Sequence, residues 1–195
     1  MNLNNQTTAV LANEGVETAK SLRTLYFTRV AFSVLWIILV VTAAKSNDSL
    51  AAILFIIYPA WDVLATFFDI RANTLQVNKT PQYVNAAISA ATTVAVILEL
   101  QNGIPEALMV FGAWAILTGL IQLILGLRRR KHLEGQWPMI ISGAQSMLAG
   151  GFIIATAHSA KDGVVSLAGY SAFGAFYFLL AAIRLGKTIK NAEVH

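Results

Sequence analysis

Two aspartates, Asp62 and Asp69, stand seven residues apart inside a long apolar run, Leu50–Ile70. At 3.6 residues per turn, that spacing puts both carboxyls on roughly one face of a helix. Arg71 closes the run, and Asp62 precedes it by nine residues, which is ~13 Å of helix. If the run crosses a bilayer, Asp62 is close to mid-membrane. An acid there costs at least ~2.5–3.5 kcal/mol and must find partners inside the bundle. Thr66 lies one turn further along the same helix. Matching depths on the other apolar runs brings Thr92, Thr93, Thr118, Gln122 and Gln145 to similar heights. The expectation is a polar site of Asp62, Thr66, Thr118, Gln122 and Gln145 in the cytosolic half of the bundle. It reads either as a proton-responsive or solute-contacting site or as a hydrogen-bonded acid that fixes helix packing. Asp69 is nearer the surface, at the depth where Arg29 enters the preceding run. A structural Asp69–Arg29 ion pair is therefore expected.

Other titratable residues offer less. Glu99 and Glu106 flank a turn and could bind a cation, but such residues are more often solvated loop ends. His158 lies near Lys161 and Asp162 and could sense pH from outside, or be a solvated loop histidine. His132 and His195 have no ligand cluster around them. The chain has no cysteine, which excludes disulfides, thiolate catalysis and cysteine-held metals. No HExxH, GxSxG, P-loop or dinucleotide fingerprint occurs. The expectation is a non-enzymatic protein with no cofactor and no metal.

The elements that position these residues follow from hydropathy. Hydrophobic residues make up 56% of the chain and charged residues only 12%, against roughly 25% charged in soluble domains. The charges cluster between apolar runs. A helix needs ~20 residues to cross the hydrocarbon core. Six runs meet that: Tyr26–Ala44, Leu50–Ile70, Val84–Leu100, Pro105–Leu127, Trp137–Ala157 and Val164–Leu185. The first could be a signal peptide cleaved near Ala44. Its long preceding region and its place in a repeating pattern favour a retained helix. Residues 1–24 read as a polar cytosolic tail, disordered or loosely helical; 25–187 as a six-helix membrane domain; and 188–195 as a second cytosolic tail. Twelve of the fourteen Lys and Arg residues fall on one side of this arrangement, with only Lys45 and Lys161 opposite. The positive-inside rule then puts both termini in the cytosol. The net charge of +4 does not point to nucleic acid, because the cations lie at the ends of apolar runs.

Arg71, Arg128 and Arg184 close the even-numbered runs at intervals of 57 and 56 residues. Ala60-Trp61 and Ala113-Trp114 lie upstream of the first two, and Gly169-Tyr170 holds a comparable place in the third. The expected fold is all-α: three parallel helix-hairpin repeats, over about 26–71, 83–128 and 137–185. Small residues spaced by four, at Ser142, Ser146 and Gly150, at Ser171 and Ala175, and at Ala86, Ala90 and Val94, would let helices approach closely. Such faces serve intramolecular packing first and a homo-oligomer second. The partner common to all of these readings is the lipid bilayer.

The segments GAWAILTGLIQLILGLRRRK, GQWPMIISGAQSMLAGG and LAGYSAFGAFYFLLAAIRLGK resemble the HdeD-like family of bacterial inner-membrane proteins. The likeness covers about Leu108–Lys187 well and Leu50–Arg71 more loosely. It implies a six-helix protein of the bacterial cytoplasmic membrane with a stress-associated, acid-resistance-like role and no established reaction. The alternative is a small proton- or solute-translocating protein built on Asp62.

Overall fold

The structure, a computed structural model, describes residues 3–44, 47–73, 78–131, 133, 136–159 and 163–194, with side chains from residue 13 to residue 190. Lys45, His132, Lys161, Asp162 and His195 lie outside the described residues.

The apolar runs form six α-helices: α1 Leu3–Thr42, α2 Asp48–Ala72, α3 Thr80–Glu99, α4 Ile104–Arg129, α5 Trp137–Thr156 and α6 Leu167–Val194. Two short 3-10 turns, Ala157–Ser159 and Gly163–Ser166, join α5 to α6. The described residues contain no strand. All six helices are long and apolar enough to cross a membrane. Their starts follow local chemistry. The Asn47 side chain accepts from the Leu50 amide at the head of α2. Proline stands in the first turn of α3, α4 and α5, where a missing N–H costs nothing.

Of the two forms expected for the tail over residues 1–24, disordered or loosely helical, the described part takes the helical one. The chain is helical from Leu3, and α1 enters the span as one 40-residue helix. Packing explains why. α6 runs on to Val194, and Ala19, Leu22 and Leu25 of α1 are buried with Ala181, Ala182, Leu185 and Ile189 of α6. A polar segment with little helical stability of its own gains it from that contact.

Each helix touches its neighbours in sequence, and α6 closes on α1, so the six form a ring in chain order. The most extensive contacts are α4 with α5, α1 with α6 and α2 with α3. The hairpins expected over about 26–71, 83–128 and 137–185 do pair touching helices. The tighter seams, however, run between those units and not within them.

The α4–α5 seam shows what a tight pair requires. Gly112, Gly119 and Gly126 recur every seven residues on α4. A Cβ on Gly112 or Gly119 would lie 2.8 Å from the carbonyl oxygen of Gly150 or Gly143 on α5. Backbone meets backbone there because neither side has a side chain in the way. The expected small-residue face of α3 is different. Ala86 is buried, but Ala90 and Val94 are exposed. α3 turns Gln82, Asn85, Ser89 and Thr92 inward instead. Polar groups that lipid cannot satisfy decide its rotation.

A candidate solute site inside the helical ring

Asp62 is the centre of the polar interior. Its Oδ1 accepts from Nη1 of Arg29 on α1 at 2.9 Å. Its Oδ2 accepts from Nδ2 of Asn85 at 2.7 Å and from Oγ of Ser89 at 2.8 Å, both on α3. Asn85 also donates to Oγ1 of Thr66 at 2.8 Å. Trp114 of α4 donates its indole N–H to Ser89 at 2.9 Å. One carboxylate thus ties three helices directly, and Ser89 extends its network to α4.

A second ion pair lies nearer the cation-rich end. Nη2 of Arg129, at the last residue of α4, bonds Oδ2 of Asp69 on α2, and Nη1 donates to the Tyr26 hydroxyl at 3.3 Å. This arginine crosses the interior of the ring, since α2 and α4 are not neighbours in it. The pairing differs from the expected Asp69–Arg29. Arg29 takes Asp62, and Asp69 takes Arg129. The reason is azimuth: depth alone places Arg29 near either acid, whereas helix rotation aims it at Asp62, and its guanidinium also packs over the Phe178 ring.

Toward the opposite end the ring is filled. Tyr58 sits among the rings of Phe32, Trp36, Phe111, Trp114 and Tyr170, all within 6.5 Å centre to centre. Beyond them Val40, Leu54, Phe55, Leu108, Val164 and Leu167 form a dry core. Between this plug and the cation-rich end lies a cavity of about 140 Å³ with walls from all six helices. Arg29, Asp62, Thr66, Asp69, Thr118, Gln122, Arg129 and Gln145 are all part of its lining.

The sequence-derived site residues thus share one chamber but not one hydrogen-bond network. Thr66 joins Asp62 through Asn85. Thr118 bonds its own helix at the Trp114 carbonyl. Gln122 reaches the Met139 carbonyl at 3.4 Å. Gln145 lines the wall. Thr93 back-bonds to Ser89 on its own helix. Sequence reasoning missed Asn85, Ser89, Trp114, Arg129 and Tyr26. Asn85 and Ser89 are four apart, and so share a helix face; that was an available signal. Arg129 was hidden in a run of four cations that reads as a topological stop. At the far end, His158 lies 3.7 Å from Glu106, and Glu99 accepts from the Asn102 side chain.

Two Ser–aromatic contacts at repeated positions border the chamber. Ser33, Ser89 and Ser146 recur at intervals of 56 and 57 residues, as Tyr58, Trp114 and Tyr170 do at 56. Ser89 pairs with Trp114, Ser146 lies 2.8 Å from the Tyr170 hydroxyl, and Tyr58 donates to Ser171 at 3.2 Å.

Fold and site together define a helical, multi-pass membrane protein with a polar chamber. Residues 107–155 match the family model described as a short repeat of unknown function (DUF308), and HdeD-like proteins carry this repeat. The matched stretch is the glycine-seamed α4–α5 pair. No curated protein and no solved structure matches the chain.

Proposed function

We propose that this is a non-enzymatic, stress-associated protein of the bacterial inner membrane. Its chamber binds a small solute from the cytosolic side and does not pass it across. The observation that carries the reading is the asymmetry of the ring: a polar cavity in the cation-rich half and an aromatic plug in the other. The stress-associated role rests on the HdeD-like resemblance together with the DUF308 match. The non-enzymatic reading rests on the sequence, which holds no recognisable nucleophile–base motif. Cytosolic termini are supported by the cation count. Three hairpins in one orientation are supported by the recurrence of Ser33, Ser89 and Ser146 and of Tyr58, Trp114 and Tyr170 in the sequence, and by the contacts Ser89–Trp114 and Ser146–Tyr170.

Translocation through Asp62 is the second reading, favoured by the cavity that reaches its carboxylate. Against it, Asp62 is held on both oxygens by Arg29, Asn85 and Ser89. Proteoliposomes decide between the two. Solute and proton flux equal to that of empty vesicles supports the one-sided chamber. Flux above that background, lost in Asp62→Asn with folding yield intact, establishes translocation. Orientation is tested in the cysteine-free chain. A single cysteine at Lys131 should label only from the cytosol, and one at Ser159 only from outside.

A further inference from the structure

We infer that the chamber takes a small uncharged polyol of about glycerol size. The inference rests on the solute-binding reading above and names the chemistry of the solute. Charge comes first. The four ionic residues in the wall, Arg29, Asp62, Asp69 and Arg129, cancel in direct pairs. An ionic solute would bring a charge with no counter-charge into a low-dielectric interior, which is costly. A neutral solute meets no such penalty.

The wall then asks for hydrogen bonds. Gln122 and Gln145 add amides, each able to donate and accept. A solute carrying both functions on adjacent atoms satisfies such a wall, and hydroxyls on neighbouring carbons do so. The C–H edges of a polyol face the remaining wall, where Tyr26, Tyr177 and Phe178 present rings. Size closes the argument. A cavity of about 140 Å³ is comparable to one that holds benzene, with about six heavy atoms, and glycerol has as many.

Gly174 provides the test. It lines the chamber, and a Cβ built on it meets nothing within 4 Å. Gly169, on the same helix, is equally open but lies outside the chamber lining. Saturation-transfer NMR on the full chain in detergent micelles, with glycerol as probe, should show binding for the wild type and for Gly169→Leu. Gly174→Leu should weaken it by about tenfold or more. Gln145→Leu, similar in volume, removes an amide from the wall and should also weaken it, which keeps the test decisive if Gly174→Leu fails to fold. Equal signals in the wild type, Gly174→Leu and Gln145→Leu overturn the site. Stronger saturation of acetate or methylammonium than of glycerol overturns the uncharged class. No glycerol signal in the wild type leaves a chamber holding water only and overturns the inference. Glycerol flux across sealed proteoliposomes, with binding retained, would sink the one-sided reading and leave the solute class standing.

Discussion

The α4–α5 and α2–α3 pairs are both among the tight seams of the ring, yet they are held by opposite means. On α4, Gly119 faces Gly143 with no room for a Cβ. On α2, Asp62 and Asp69 stand 57 residues before Gly119 and Gly126, the interval that separates Arg71 from Arg128. Where one pair has bare backbone, the other has two carboxylates. Asp62 bonds across to Asn85 and Ser89 on α3, and Asp69 reaches past its neighbours to Arg129. The glycine seam excludes everything. The aspartate seam must bring cations and amides inward to satisfy its acids, and those groups are the walls of the chamber. One scaffold can thus hold a helix pair together by removing side chains or by compensating charged ones, and the second way creates a site.

The comparison can be broken most severely on the glycine side. A Cβ on Gly150 would sit 2.5 Å from the Gly112 carbonyl oxygen, so Gly150→Leu should prevent the seam from closing. Size-exclusion chromatography should show aggregate in place of a monodisperse peak. Next comes the inner ion pair. Asp69→Ala leaves Arg129 buried without its counter-charge, and should cost about 3–5 kcal/mol in a reversible unfolding assay. Asp62→Asn keeps the shape of the hub but removes the charge that receives Arg29. A loss of about 1.5–3 kcal/mol is expected, the scale of a hydrogen bond to a charged group. The smallest effect belongs to Ser146, which stands 57 residues after Ser89. Ser146→Ala removes bonds to Tyr170 and to the Ala115 carbonyl, and should cost about 1.2 kcal/mol, twice the ~0.6 kcal/mol average for a hydrogen bond between membrane helices. If Ser146→Ala cost as much as Asp69→Ala, the polar interior would not be concentrated on α2 and α3.

Much of this molecule was legible in the residues, and the limits are particular. Six helices long and apolar enough to span, and the distance of Asp62 from the end of its helix, follow from hydropathy and from a rise of 1.5 Å per residue. These are local properties that each helix carries alone. The choice between disorder and helix over residues 3–24 was left open, because the α6 surface that packs on α1 is more than a hundred residues away in sequence. The exchange of ion-pair partners has the same origin. Arg29 meets Asp62, and Asp69 meets Arg129, only when six helices have closed into a ring with fixed rotations. Depth is set by position along one helix. Azimuth is set by packing against all the others, through glycine contacts on one side of the ring and buried polar groups that lipid cannot satisfy on the other. The sequence by itself determined which residues lie at which height. Only the tertiary structure decided which of them face one another, and therefore that there is a chamber.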